Sequence, residues 1–253
     1  MSTLHCEQLT VSIGNTLVCQ DLELDLHNGQ SWAVLGPNGS GKTTLIHTLA
    51  GLRAAQQGRI TVRGKDLSSY SHRDRARKTG VLFQQETAYF PSTVIEYVLM
   101  GRHPHLDWWQ WESRQDIDIA EQALKQVDLI DLQQRDINTL SGGERRRMNM
   151  ACLLCQNPDI TFLDEPGNHL DLQHQIETLG LIREQYRQRL LIMSAHDINL
   201  CMRFCTHAIL LLGQGKTLYG DINTVVTTDN LEKVYGLPLT RITHGEHTLF
   251  FPA

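Results

Sequence analysis

The residues best suited to chemistry in this chain form the run Gly36-Pro37-Asn38-Gly39-Ser40-Gly41-Lys42-Thr43, the pattern G-x-x-x-x-G-K-[ST]. It follows a strand-like segment, residues 31–35, and leads into an apolar helix-like one that begins at Lys42 and continues through Thr44. The context matters more than the pattern. Glycines let the backbone fold into a nest whose N–H groups point inward at phosphate oxygens. The helix that follows adds the positive end of its dipole and its unpaired N–H groups. In such a loop Lys42 reaches the β- and γ-phosphates and the Thr43 hydroxyl ligates Mg²⁺. A glycine-rich turn with a chance lysine would need neither flank, so the run implies binding of a nucleoside triphosphate.

Two further signals lie downstream. Ile160-Thr161-Phe162-Leu163-Asp164-Glu165 is an apolar strand ending in adjacent acids. Successive strand residues point to opposite sides, so the two carboxylates have different tasks. Asp164 is suited to hold Mg²⁺, since hard cations prefer oxygen ligands. Glu165, where the chain turns, is suited to polarise the water that attacks the γ-phosphate. Leu140-Ser141-Gly142-Gly143-Glu144 has Ser141 and Glu144 spaced as a capping box, which fixes the start of a helix over 145–155. Gly142 and Gly143 allow close approach to a ligand at that helix start.

The elements that must position these residues can be read from periodicity. Residues 3–13 and 17–26 alternate apolar and polar as half-buried antiparallel strands do, with Gly14-Asn15 between them. Strands are also expected at 58–64, 81–83, 160–163, 189–194 and 208–212, the last joined to 216–219 by Gly213-Gln214-Gly215. Helical periods dominate 87–156, and a long helix is expected over 172–186. Strands alternating with helices imply an α/β fold with a mainly parallel sheet, the nucleotide lying at the carboxyl ends of its strands. The expected organisation is one ATPase domain over 1–253. Its phosphate-loop NTPase core takes 1–86 and 157–225 and carries an N-terminal antiparallel β subdomain. A helical subdomain is inserted at 87–156, and 226–253 form a C-terminal extension too short to fold alone.

Composition excludes several classes. With 41% hydrophobic and 20% charged residues and a net charge of −5, the chain is an ordinary globular protein with no bulk electrostatic case for nucleic acid. No apolar run approaches the ~18 residues needed to span a bilayer, and the first residues lack the features of a signal peptide. Work at a membrane would therefore go through a partner. Cys152 and Cys155 form C-x-x-C within a helical run, with no second pair to complete a zinc set, so they are expected to be buried free thiols.

The phosphate loop, Ser141–Glu144 and Asp164-Glu165, in that order, resemble one family, the ATP-binding cassette ATPases. The resemblance covers the chain from its first strands to at least Leu218. It implies that Gln84 contacts Mg²⁺ and the attacking water and senses the membrane partner. It implies that Asn168-His169-Leu170-Asp171 is the D-loop, with Asp171 at the nucleotide site. Ser194-Ala195-His196-Asp197 then carries a switch histidine, His196, that contacts the γ-phosphate. In this family Ser141 and Gly143 of one copy close over phosphates bound in another. A chain with one loop and one such signature therefore implies a homodimer with C2 symmetry. Three departures stand out. The position where adenine usually stacks on an aromatic is Ile13, Gly167 replaces a more usual residue after Glu165, and Glu144 replaces a common glutamine.

Gly101-Arg102-His103-Pro104-His105 resembles the Gly-Arg-Tyr-Pro-His stretch of ATPases that serve importers of iron–siderophore, haem and cobalamin. That resemblance implies an integral membrane permease, an extracytoplasmic binding protein upstream of it, and a place on the cytoplasmic face of the membrane. A groove between the helical lobe and the Gln84 loop would receive a short permease helix. A soluble ATPase of an assembly complex, such as that for iron–sulfur clusters, is the other function class. Trp108, Trp109 and Trp111 are expected to pack within the helical lobe, with the permease groove as the second reading. Arg145-Arg146-Arg147 reads as a solvated or interface-facing charged face. His103 and His105, and His244 and His247 in a C-terminal turn, are expected to be structural rather than metal ligands.

Stacking of a base on an aromatic contributes about 1–3 kcal/mol. Ile13→Tyr is therefore expected to lower the ATP dissociation constant in a direct binding assay. An unchanged or higher constant would remove position 13 from the adenine site.

Overall fold

The computed structural model describes residues 2–83, 90–166, 172–245 and 247–253, and the side chains of 172–174, 244 and 247 lie outside that description. The chain begins with two long strands, β1 (Leu4–Ile13) and β2 (Thr16–Leu26), joined at Gly14-Asn15 as the alternation predicts. β3 (Ser31–Leu35) feeds the phosphate loop, and α1 (Lys42–Leu49) leaves it. β4 (Gln57–Val62) returns to pair with β1, and β5 (Lys65–Asp66) closes a four-stranded antiparallel sheet of order β2-β1-β4-β5. The short helix α2 (His72–Lys78) then precedes β6 (Thr79–Leu82), which ends one residue earlier than its apolar run suggests.

A helical stretch follows, made of α3 (Val94–Leu99), a 3₁₀ turn over Met100–His105, α4 (Arg114–Gln126) and α5 (Gly142–Gln156). The remaining core elements are β7 (Ile160–Asp164), α6 (Leu172–Gln185), β8 (Leu190–Ser194), α7 (Ile198–Phe204), β9 (His207–Gly213) and β10 (Lys216–Asp221). The chain ends with α8 (Ile222–Val225), α9 (Thr228–Tyr235) and a hairpin of β11 (Leu239–His244) and β12 (His247–Pro252).

The central sheet has the order β10-β9-β3-β8-β7-β6, parallel throughout except for the edge strand β10. β3, β7 and β8 are buried along their whole length, because layers cover both faces of the sheet. Side-chain alternation divides the core accordingly. Trp32 and Val34 of β3 face α1 and the antiparallel sheet, whereas Ala33 and Leu35 face the helical layer of α3–α7. The sequence places β3, β8 and β7 far apart, and the sheet makes them consecutive neighbours. Their carboxyl ends therefore lie side by side, where ligands of open α/β sheets bind.

The 101–105 stretch turns out to be a structural joint. Arg102 donates to Asp116 at 2.9 Å and to the Cys155 carbonyl at 3.1 Å, and the His105 ring lies 2.8 Å from the Gln156 carbonyl. Carbonyls at the end of α5 that lack helical partners are thus satisfied. Arg73 and Arg77 of α2 both donate to the Pro104 carbonyl, at 3.1 and 2.6 Å, tying the turn to the sheet side. His103 sits 3.7 Å from Glu112. Cys155 is buried, which pushes its thiol up to about 12, and all the cysteines are free.

The tryptophans differ from expectation. Trp108, Trp109 and Trp111 are 89%, 68% and 87% exposed, with Trp108 and Trp109 edge-on to each other at 5.3 Å. The buried interior between α3, α4 and α5 is filled instead by Val94, Val98, Ala120, Leu124 and Met148. The loop carrying the tryptophans borders a cavity of 760 Å³ that also touches Met100, Pro104 and Cys152.

Gly101 packs so closely on α5 that a Cβ there would lie 2.4 Å from the Cys152 carbonyl oxygen. The clash is with backbone, which has no rotamer to yield. Gly101→Ala is therefore expected to cost about 1–3 kcal/mol, seen as a lower midpoint in thermal or urea unfolding. Gly180→Ala in α6, where a Cβ meets nothing, should leave that midpoint level or raised.

Candidate functional site

The phosphate loop is folded by its glycines. Gly41 caps α1 at φ 97°, a left-handed conformation, with no side chain bonded to the helix N–H groups. A Cβ on Gly41 would also lie 2.4 Å from Val18 of β2, so space and conformation both require glycine. The free helix N-terminus then faces the loop interior, a ready site for an anion. Ser40 Oγ is buried within the loop with no hydrogen-bond partner among the described residues, as a hydroxyl meant for an incoming phosphate would be. Gly36, Pro37, Asn38, Gly39 and Thr44 complete the loop and the first helical turn, with Thr44 buried.

Lys42 is buried, and its ammonium donates to the carbonyls of Gly36 at 3.0 Å and Pro37 at 3.2 Å. Burial lowers its pKa, while the charges of Glu165 and Asp164 act in the opposite direction. The lysine therefore sits within the field of the two acids predicted from sequence.

Those acids are held by neighbouring strands. Asp164 and Ser194 are paired positions at the ends of β7 and β8. Ser194 Oγ donates to Asp164 Oδ1 at 2.6 Å and accepts the Glu165 N–H at 2.9 Å. Thr43 Oγ1 donates to the same Asp164 oxygen at 3.1 Å, so the phosphate loop and the acidic strand end meet directly. On the outer side, His196 Nε2 lies 2.5 Å from Glu165 Oε1. Glu165 is buried and adopts φ 49°, a left-handed conformation unusual for a non-glycine residue, and Arg146 of α5 donates to its carbonyl at 3.1 Å. Strained backbone of this kind persists only where its surroundings over-determine it.

A continuous chain of contacts thus runs His196–Glu165–Ser194–Asp164–Thr43. It joins a carboxylate paired with a histidine, a second carboxylate beside a threonine hydroxyl, and a phosphate-binding nest. The oxygen donors Thr43 and Asp164 suit a hard divalent cation.

Comparison with known proteins places the chain in a family. Residues 19–168 match the family model described as ABC transporter. The ferric enterobactin transport ATP-binding protein of Escherichia coli is 34% identical over 94% of this chain and 88% of its own length. The hemin import ATP-binding protein of Pseudomonas putida is 36% identical over 96% of both chains. This chain belongs to the ABC transporter family. As a member it is an ATP-binding and ATP-hydrolysing subunit. A solved subunit of a metal-chelate type ABC transporter in an inward-facing conformation superposes with a TM-score of 0.85 at 28% identity, covering 100% of this chain and 98% of that one.

Within this ABC subunit, the structure brings Lys42, Thr43, Asp164, Glu165 and His196 together and leaves Ser141 and Gly142 on the surface. Ser141 and Glu144 form the expected capping box, Ser141 N–H donating to Glu144 at 2.7 Å and Ser141 Oγ accepting the Glu144 N–H at 3.3 Å. The helix begins at Gly142, earlier than the predicted 145, because both glycines are its first turn. Ile13 is 43% exposed at the tip of the β1–β2 hairpin. Gln84 and Asp171, like Gly167, Asn168, His169 and Leu170, lie outside the described residues.

Two contributors were not given a role in the sequence, and a third was read differently. Ser194 bridges the two acids. Its only sequence signal is a polar residue closing an apolar strand. His47, one turn beyond Thr43 on α1, places Nε2 3.8 Å from Asp164 Oδ2 and its ring edge-on to Phe83 at 5.5 Å. Arg146 departs from the reading of Arg145–Arg147 as a solvated or interface-facing face, since its guanidinium is turned inward onto the carbonyls of Phe83, Asp164 and Glu165.

Ser194→Ala would leave the buried Glu165 N–H without its acceptor, a loss of about 1–3 kcal/mol. The expected result is a lower unfolding midpoint and slower hydrolysis at saturating ATP, with a smaller change in ATP affinity. Parental turnover in steady-state kinetics would show that the bridge does not position the acids.

Proposed function

We propose that this chain is the ATPase of a membrane importer for a metal-chelate cargo of the iron–siderophore, haem or cobalamin type. The observation that carries the chemistry is the contact chain from His196 to Thr43. ATP places its phosphates in the loop Gly36–Thr44, where backbone N–H groups, Ser40 and Lys42 meet them. Thr43, Asp164 and, by resemblance, Gln84 would hold Mg²⁺, whose charge neutralises the phosphates during transfer. Glu165 accepts the proton of the attacking water. His196 orients that carboxylate and, by resemblance, would contact the γ-phosphate. The buried site raises the effect of each fixed charge relative to water.

The signature Ser141–Gly143, with Ser141 and Gly142 exposed at the start of α5, is suited to a nucleotide held by a second copy. Two chains in C2 symmetry would form two composite sites, with Asp171 of each at the junction. ATP closes this dimer and hydrolysis releases it, which would drive the permease. The exposed tryptophans and the cavity beside them fit a protein contact on the lobe, aromatic residues being enriched in interfaces. The chain would then sit at the cytoplasmic face through the permease, with a binding protein delivering cargo from the other side. The organisation proposed is a core of 1–86 and 157–225, a helical subdomain of 87–156, and an extension of 226–253.

Affinity purification of the tagged chain in mild detergent, with mass spectrometry of what remains bound, tests this reading. A polytopic permease supports it and narrows the cargo. Exclusively soluble partners from well-extracted membranes would favour an assembly ATPase instead. Separately, Glu165→Gln is expected to bind ATP normally, to slow hydrolysis by ~10²–10⁴-fold, and to elute as an ATP-dependent dimer in size-exclusion chromatography. Parental turnover would refute the general-base role.

A further inference from the structure

The signature helix is bonded to this chain's own hydrolytic centre. Arg146 lies one turn beyond Ser141–Gly143 on α5. One guanidinium nitrogen donates to the Phe83 carbonyl, and the other to the carbonyls of Glu165 at 3.1 Å and Asp164 at 3.5 Å. Phe83 directly follows the last residue of β6, while Asp164 ends β7 and Glu165 follows it. A single planar cation therefore bridges the ends of two adjacent strands from a helix outside the sheet.

Its effect on Glu165 is specific. The Glu165 N–H is fixed by Ser194 and the Glu165 carbonyl by Arg146, so the left-handed peptide is held from both sides. Without the second hold, a residue at φ 49° can relax toward ordinary backbone, which would swing its carboxylate away from His196. The fork geometry matters as well as the charge, because only guanidinium presents separate donors in one plane to several acceptors.

We infer that Arg146 is a positioning residue that locks Glu165 in its hydrolytic geometry from the signature helix. Through it, the signature segment offered to a partner's nucleotide is mechanically joined to the carboxylate that takes the proton from the water attacking this chain's own nucleotide. The inference rests on the general-base and composite-site reading above. A displacement of α5 when Ser141–Gly143 engage a nucleotide is passed to Glu165, so hydrolysis in one site depends on closure over the other.

The test is steady-state hydrolysis against ATP concentration by the purified full chain carrying Arg146→Met, with direct ATP binding and thermal unfolding alongside. The expected result is a fall in kcat of at least tenfold, with KM and the ATP dissociation constant within twofold of parental. Arg146→Lys keeps the charge without the fork and should recover part of the lost kcat. In the Glu165→Gln background, adding Arg146→Met should weaken ATP-dependent dimerisation at least tenfold. Parental kcat in Arg146→Met overturns the proposal. If that variant does not fold, parental kcat in Arg146→Lys overturns the need for the fork, while a reduced kcat with normal ATP binding supports it. Failure of the underlying reading shows elsewhere: Glu165→Gln would then hydrolyse ATP at the parental rate whatever stands at position 146.

Discussion

The 2.6 Å hydrogen bond from Ser194 to Asp164 is the constraint around which the site is arranged. It forms because β7 and β8 are parallel neighbours in a register that sets these two residues opposite each other. Both are fully buried, so neither finds water as an alternative partner. The serine, having donated its hydrogen, keeps its oxygen lone pairs for the Glu165 N–H, and that bond turns the chain out of the strand into a left-handed step. Everything the carboxylates can do follows from where this corner leaves them. Asp164 points toward Thr43 and the phosphate loop, and Glu165 toward His196.

The same corner explains why helices far from the phosphates matter to the chemistry. α1 enters through Thr43 and His47, and α5 through Arg146. The helical layer is itself anchored by the 101–105 turn, whose glycine touches α5 and whose Pro104 carbonyl collects two arginines from α2. A stretch that distinguishes a group of transport ATPases in sequence is, in physical terms, the joint between helices and sheet. Arg102 and His105 bond helix-end carbonyls and a buried carboxylate.

Much of this was legible because it depends on local spacing. The phosphate loop, the capping box of Ser141 and Glu144, the antiparallel pair and the buried strands each follow from a few consecutive residues whose conformation is fixed by propensity, pattern or close packing. Where the reading failed, the deciding partner was distant in sequence. The arginine run read as a solvated or interface-facing face because nothing near 145–147 announces that carbonyls of residues 83, 164 and 165 will converge on Arg146. The tryptophans looked like lobe core because large aromatics usually bury. Aliphatic residues from α3, α4 and α5 fill that space, and the aromatics are left outside. The helix start at Gly142 shows a smaller effect of the same kind, since glycine's poor propensity is overcome by the cap before it.

By itself, then, the sequence determined the chemistry on offer: a phosphate nest, a lysine, a threonine, two acids and a histidine in a fixed order, within an α/β fold. These are properties of residue type and short-range geometry, which one chain segment can specify alone. The tertiary structure decided which of them touch. Strand order brought Asp164 beside Ser194, the turn at φ 49° aimed Glu165 at His196, and α5 delivered Arg146 to three carbonyls. Such contacts join segments separated by tens of residues, and only the parallel register and the packing of helices on the sheet fix their distances.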